Sequence, residues 1–172
     1  MKFLTLFKMF EEAQIRYLVA GGIAVNLHGV IRPTHDIDLI VYLEKKNLIR
    51  FIHLLTQLGY LPRVPVPAID FADPKKRADW IKNKNMTVFS FYHPKDMMKI
   101  IDIFVEHPMP FGTLYKRRET IKVEDCIIPV VSIRDLIKLK QKADRLQDQS
   151  DVEALKGILE IKKRLSREEE KN

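Results

Sequence analysis

Apolar and polar residues recur along this chain with the periods of both helices and strands. Near the N-terminus, Phe3, Phe7 and Phe10 share one helical face and predict an amphipathic helix over about 2–13. Between 36 and 41, acidic residues alternate with apolar ones, which predicts a strand. The same periods predict strands near 16–20, 88–92, 99–105, 119–123 and 126–131, and helices near 23–29, 45–58, 132–146 and 150–165. Because strands and helices are mixed in order, the expected class is α/β (or α+β) with a mixed sheet.

Capping residues mark several of the predicted helix ends. Gly29 is well placed to stop the helix that begins near residue 23. Ser132 and Ser150 each precede a helical pattern, and Asp135 and Glu153 follow them at a spacing similar to that of a capping box. The sequence therefore predicts two C-terminal helices that begin at these serines and close the chain.

Two stretches lack a regular pattern. The stretch 62–84 holds four prolines among charged residues, which predicts a long, irregular surface excursion. The residues 168–172 are nearly all charged and predict a frayed tail. The sequence contains neither an internal repeat nor a low-complexity segment.

Length and composition predict one domain with a basic surface. The 172 residues form one expected unit over 1–172, with a core at about 15–131 and closing helices at about 132–165. A net charge of +7 and a pI near 9.4 favour, weakly, an anionic partner such as a nucleotide. The single cysteine, Cys126, excludes an internal disulfide and a cysteine-based zinc site. No apolar run approaches the roughly 20 residues that span a bilayer, so a cytoplasmic protein without membrane association is expected.

A glycine pair stands between the first predicted strand and the helix that follows it. Gly21 and Gly22 would let the backbone approach a ligand closely, and the N–H groups at the start of the helix would attract an anion. A tight turn that only packs the helix on the sheet is the other interpretation, and the pair alone favours it. No Gly-Lys-Ser/Thr follows, so the P-loop pattern is absent.

Three aspartates in apolar surroundings are the main candidates for chemistry. Asp36 and Asp38 are two residues apart on a strand, so both carboxylates point the same way and repel each other unless a cation lies between them. Carboxylates of this kind suit Mg²⁺, for which Mn²⁺ can substitute. Asp102 lies inside a second apolar strand, where an unpaired acid is costly. A solvent-facing strand start for the first two, and a buried salt bridge for Asp102, are the bland alternatives.

These features have a consistent joint use if the two strands are neighbours. The glycine turn would hold a triphosphate, and the three acids would hold two Mg²⁺ ions. One ion would activate an attacking hydroxyl and the other would stabilise the pyrophosphate leaving group. The reaction is nucleotidyl transfer, in which positioning and electrostatics carry most of the catalysis.

The motif around these residues resembles the nucleotidyltransferase superfamily with the DNA polymerase beta-like fold. Gly21-Gly22, about a dozen residues, and then Asp36-x-Asp38 match its signature, and Arg32-x-Thr34 before the acids is typical of a small bacterial branch that includes abortive-infection toxins. Asp102 matches the third carboxylate, on a later strand. A Lys followed by Arg-x-x-Asp-x-x-Asp on the C-terminal helices also resembles this branch; here these residues are Lys140, Arg145, Asp148 and Asp151.

The resemblance implies a role for each matching residue. Asp36, Asp38 and Asp102 would be the catalytic and metal-binding residues, and Asp102 would also help to activate the acceptor. Gly21 and Gly22 would contact phosphates, and Lys140 would reach one. The nucleotide-binding set implied as a whole is Gly21, Gly22, Arg32, Thr34, Lys140 and Arg145.

The resemblance implies an NTP as one substrate and leaves the acceptor open among RNA, a protein and a small molecule. An inactive module of the same fold that binds nucleotide or RNA is the alternative, although the acid triad is intact here. A toxin of a toxin–antitoxin pair would be a biological role for the same chemistry.

Overall fold

The computed structural model describes residues 2–143 and 145–169. Seven α-helices lie in this part of the chain: α1 (Lys2–Glu12), α2 (Gly21–Leu27), α3 (Lys45–Gln57), α4 (Pro74–Lys84), α5 (Phe111–Lys116), α6 (Ile133–Ala143) and α7 (Leu146–Glu169). The strands are β1 (Tyr17–Val19), β2 (Ile37–Val41), β3 (Leu61–Pro62), β4 (Val88–His93), β5 (Asp96–Phe104), β6 (Glu119–Val123) and β7 (Cys126–Val130). A short 3₁₀ helix spans Ala68–Ala72. Among the described helices, none combines the length and apolar character needed to span a bilayer.

All seven strands join one mixed sheet in the order β3-β4-β5-β2-β1-β7-β6. β2 pairs with β5 in parallel and with β1 antiparallel, so β2 lies at the centre of the sheet. β1 pairs with β7 in parallel, and the remaining neighbours are antiparallel. The predicted mixed sheet with C-terminal helices is therefore confirmed.

The apolar stripe of α1 packs against the sheet as its periodicity predicts. Phe7 and Phe10 are fully buried, and the Phe10 ring lies 5.0 Å from Tyr17 of β1 and 5.4 Å from Phe51 of α3. Aromatic pairs at these distances add to the free energy gained from burying their area. The N-terminal helix is thus part of the core. Cys126 is buried too, as expected for a packing residue.

Two predicted helix ends agree with the structure. Ser132 Oγ accepts from the Asp135 N–H at 3.3 Å and donates to the Asp135 carboxylate at 3.0 Å, which caps α6. At the end of α2, Gly29 adopts φ +104°, a conformation that stops the helix.

The prediction for 62–84 as an irregular surface excursion is wrong. This stretch contains the 3₁₀ helix and all of α4, and it buries Phe71 and Trp80. Asp73 caps α4 by accepting from the Lys75 N–H at 2.8 Å, and Pro74 takes the first helical position, where its missing N–H costs nothing. Asp73 and Pro74 therefore mark the start of α4, and the other prolines of this stretch all lie before the helix.

The predicted start of the last helix at Ser150 is also wrong. α7 begins at Leu146, and the Gln149 N–H donates to the Arg145 carbonyl at 3.1 Å, so Ser150 lies inside the helix and is exposed. α7 then continues through Glu168 and Glu169, part of the predicted frayed tail. The rest of that tail, 170–172, lies outside the described residues. The short helix α5 was not predicted from the sequence.

Trp80 tests whether the 62–84 stretch belongs to the cooperative core. Its ring stacks on Phe89 of β4 at 5.3 Å. Trp80→Ala should lower the free energy of unfolding by about 3–5 kcal/mol, because it leaves a large cavity. Urea denaturation measures this, and the exposed Lys82→Ala on the same helix should stay within about 0.5 kcal/mol of wild type. An unchanged urea midpoint for Trp80→Ala would contradict this description of the core.

Candidate active site

The central pair of parallel strands brings two of the predicted acids side by side. Asp38 of β2 lies opposite Asp102 of β5 in the strand register. Neighbouring residues in register point to the same face of a sheet, so both carboxylates reach the same side. Asp36 immediately precedes β2 and is close enough to raise the pKa of both other acids by charge repulsion. The condition set by the sequence, that the two strands are neighbours, is met.

The glycine pair forms the first turn of α2 and packs directly on these acids. A Cβ at Gly21 would lie 1.8 Å from Asp38 Oδ2, and Gly21 has φ +57°, so both space and backbone conformation require glycine. The Gly22 N–H donates to the Asp38 carboxylate. A Cβ at Gly22 would lie 2.5 Å from Thr34 Oγ1, so the Thr34 hydroxyl covers the second glycine. The predicted turn before the helix is thus the start of the helix itself.

Neither of the two central carboxylates forms an ion pair among the described residues, although Lys140 and Arg63 are near enough to lower their pKa values slightly. Burial, the nearby Asp102 carboxylate and Asp36 together raise the pKa of Asp38 to about 6. Burial also raises the pKa of Asp102, although a hydrogen bond from Ser90 opposes this. Asp102 Oδ1 is buried without a hydrogen-bond partner among the described residues. A buried acceptor left unpaired beside a second carboxylate is a position that a cation would stabilise.

The chemistry of these oxygens fits Mg²⁺ completed by other ligands. Within residues 2–143 and 145–169, no group of three or more His, Cys, Asp or Glu side chains is arranged to hold a metal by itself. Mg²⁺ in nucleotide enzymes is usually bound by one or two carboxylates together with phosphate oxygens and water. Asp38 and Asp102 supply such a partial set.

A cleft of about 560 Å³ opens over the acids and the glycine turn. All nine residues that the sequence predicted for the site line this cleft: Gly21, Gly22, Arg32, Thr34, Asp36, Asp38, Asp102, Lys140 and Arg145. They come from α2, the loop before β2, β2, β5, α6 and the residue before α7. The fold therefore brings together positions more than a hundred residues apart in sequence.

The cations at the cleft differ in their pairing. Lys140 Nζ binds Asp148 Oδ1 at 2.9 Å and Asp151 Oδ2 at 2.6 Å, and Arg32 Nη1 binds the same Asp151 oxygen at 2.5 Å. Arg145 is exposed at the rim. Lys140 was predicted to reach a phosphate. In this structure its ammonium group already binds two carboxylates, and the contact with a phosphate stays a prediction.

Several residues that line the cleft lie outside the set that the sequence predicted. Phe104 and Glu106 follow Asp102 at spacings of two and four residues, and both line the cleft together with Pro108 and Val88. Alternation along β5 was the signal that could have found Phe104, because residues two apart share a face. Glu106 lies beyond the end of β5, in a segment whose path only the structure defines.

No family model matches the chain, and no curated protein matches its sequence. Solved structures match its fold over most of their length. A lincosamide antibiotic adenylyltransferase, LnuA, bound to lincomycin, is 19% identical with a TM-score of 0.61, and the match covers 90% of this chain and 94% of that one. ANT(2")-Ia in complex with adenylyl-2"-tobramycin is 13% identical with a TM-score of 0.59, covering 95% and 92%.

A third match is an antigenic nucleotidyltransferase-like protein from Paracoccidioides brasiliensis, 12% identical with a TM-score of 0.56, covering 91% of this chain and 73% of that one. At these identities the similarity concerns the fold. The chain has the nucleotidyltransferase fold, which confirms the architecture that the sequence motif implied.

The raised pKa of Asp38 predicts a pH-dependent stability of the metal-free protein. Because the folded-state pKa of about 6 exceeds the ordinary aspartate pKa of 3.8, the folded protein binds the proton more tightly, and its stability falls as pH rises through this window. In EDTA at pH 7.5, Asp38→Asn should therefore melt at a higher temperature than wild type, and the difference should shrink towards pH 4.

Thermal melts at several pH values check this expectation, with the exposed Asp79→Asn on α4 as the control that should follow wild type. If Asp38→Asn melts below wild type at pH 7.5, Asp38 has a stabilising partner and the electrostatic account of the site is wrong.

Proposed function

We propose that this chain is a nucleotidyltransferase that moves a nucleoside monophosphate from an NTP to a hydroxyl group of an acceptor. The observation that carries the proposal is the meeting of Asp38 and Asp102, in register on adjacent strands, beside the Gly21-Gly22 turn. An acid pair with no ion-pair partner among the described residues, next to a close backbone approach, suits a metal-bound triphosphate. The fold shared with nucleotidyltransferases adds support.

Each part of the cleft has a role in this proposal. The triphosphate lies over Gly22 and Thr34, with Arg32 and Lys140 as the cations that neutralise it. Asp36, Asp38 and Asp102 would hold Mg²⁺, which when bound neutralises charge on the triphosphate and on the pyrophosphate that leaves.

Asp102 is the candidate to take the proton from the acceptor. Its Oδ1 has no hydrogen-bond partner among the described residues, so a proton taken up by this carboxylate would displace no existing donor from that oxygen. The acceptor oxygen forms a bond to the α-phosphorus, the bond from that phosphorus to pyrophosphate breaks, and the hydroxyl proton goes to Asp102. Positioning by the cleft supplies most of the rate.

The acceptor binds, in this proposal, at the end of the cleft lined by Val88, Phe104, Glu106 and Pro108. Two of the structural neighbours hold small antibiotic molecules: LnuA is bound to lincomycin, and ANT(2")-Ia is in complex with adenylyl-2"-tobramycin. For this chain the candidate acceptors are a small molecule, an RNA end and a protein, and one labelling experiment can compare all three. A toxin role would follow if an essential RNA or protein were the acceptor.

Transfer can be tested directly with labelled nucleotide. The protein is incubated with Mg²⁺ and each NTP labelled in the α-phosphate, together with cellular RNA, protein or small-molecule extract. Wild type should label one acceptor class, and Asp102→Asn should lower the turnover about 100-fold or more, because it removes the proton acceptor and one metal ligand. Asp79→Asn is the matched control and should label at the wild-type rate. Binding of NTP without labelling of any acceptor would favour the inactive binding module instead.

Magnesium dependence of binding is a second test. Without a divalent cation the triphosphate would face three carboxylates, so calorimetry in EDTA should give an NTP affinity at least about tenfold weaker than in Mg²⁺. In Asp38→Asn/Asp102→Asn, the difference between the two conditions should largely disappear. Equal affinities of wild type in Mg²⁺ and EDTA would argue against a metal site built from these acids.

A further inference from the structure

Four charged side chains form a network, partly or fully buried, where α7 meets the cleft. One oxygen of Asp151, Oδ2, accepts from Arg32 Nη1 at 2.5 Å and from Lys140 Nζ at 2.6 Å. Lys140 Nζ also lies 2.9 Å from Asp148 Oδ1, one turn earlier on α7. Asp151 is 3% exposed and Lys140 is 6% exposed, so water hardly reaches this network.

Asp151 holds two cations together that would otherwise repel each other. Because Arg32 and Lys140 bind the same oxygen atom, their charged nitrogens lie within about 5 Å of each other, where like charges repel strongly in a partly buried site. A buried ion network adds little net stability compared with apolar residues of the same size. The network therefore calls for an explanation other than stability.

Both cations keep hydrogen-bond donors for a ligand. A guanidinium has five N–H donors and an ammonium has three. Arg32 donates from Nε to the Pro33 carbonyl at 3.2 Å and from Nη1 to Asp151, and its Nη2 has no partner within the described ranges. Among the described residues, Lys140 has two partners, Asp148 and Asp151, for its three donors. Each cation thus retains at least one donor for an anion in the cleft.

The Arg32 guanidinium lies directly over the glycine turn. A Cβ at Gly22 would be 3.2 Å from Arg32 Cζ. Asn26 Nδ2 of α2 donates to the Arg32 carbonyl at 2.9 Å, which holds the backbone. Asp151 holds the other end of the same residue, so the cation is fixed at the place where the phosphates would lie.

We propose that Asp151 is a positioning residue for the triphosphate: it holds Arg32 and Lys140 towards the phosphates without contacting the nucleotide itself. The inference rests on the proposed function, since it takes the ligand to be a magnesium-bound NTP. The positioning role and simple electrostatics predict opposite effects. Removing a carboxylate near an anionic ligand should by itself strengthen binding, whereas loss of the positioning role of Asp151 should weaken it. Asp151 would also make binding depend on the number of phosphates, because both cations contact phosphates alone.

Calorimetry with phosphate-matched ligands tests this role. ATP, GTP, CTP and UTP are each titrated with Mg²⁺ into the full-length wild type, and the NTP that binds most tightly is compared with its own monophosphate. In Asp151→Asn the Kd for the triphosphate should rise about tenfold or more, while the Kd for the monophosphate should change less than about twofold. Glu153→Gln, an exposed acid on the same helix paired with Lys156, should leave both constants unchanged.

A second pair of variants covers the case in which Asp151→Asn does not fold. Arg32→Gln/Asp151→Asn removes one charge of each sign, so no excess buried charge remains. It should bind the triphosphate at least about threefold more weakly than Arg32→Gln alone, because Asp151 also holds Lys140. Equal or tighter binding by the double variant would overturn the inference.

The outcomes separate this inference from the proposed function. If wild type binds no magnesium-bound NTP, both fail. If wild type binds the triphosphate and Asp151→Asn binds it as tightly or more tightly, Asp151 is a structural ion-pair partner and only the positioning role fails. Weaker binding of triphosphate and monophosphate to the same extent would also reject it, since a general distortion of the cleft would have that effect.

Discussion

The parallel pairing of β2 with β5 places two carboxylates side by side at the centre of the sheet. Asp38 and Asp102 are in register, so neither can move to the other face of the sheet without breaking the ladder. The flanking strand residues Leu39, Ile101 and Ile103 point to the opposite face of the sheet and are completely buried. The free energy gained by burying these apolar side chains offsets the free-energy cost of holding two buried carboxylates side by side. The rest of the cleft is built around this pair.

The glycine turn is the first consequence of that pair. Asp38 fills the space where a Cβ of Gly21 would be, and the Gly22 N–H is its hydrogen-bond donor. The strand that carries the acid and the helix that begins with the glycines are therefore fitted to each other. Any side chain at Gly21 would displace Asp38 and with it the arrangement of the acids.

The two sides of the cleft differ in how their charged groups are paired. On the sheet side, the acids lie close together with no ion pair to a described residue, and burial raises the pKa of Asp38 and of Asp102. On the helical side, Arg32 and Lys140 are neutralised by acids of α7. A magnesium-bound triphosphate would suit both sides, because its metal meets the bare acids and its phosphates meet the spare donors of the cations.

Local signals in the sequence determined much of this protein. Alternation around Asp36-Ile37-Asp38, the glycine pair and Asp102 in its apolar strand are local patterns, and they predicted the central strands and the acids and glycines of the cleft. The family resemblance added Arg32, Thr34, Lys140 and Arg145, which line the same cleft. Tertiary structure decided what depends on distant partners. Phe71 and Trp80 pack on β4 and so make the proline-rich stretch part of the core. Asp151, which the sequence identified only as part of a helix motif, binds both Arg32 and Lys140. Such contacts join residues far apart in the chain, and no local period or capping signal encodes them.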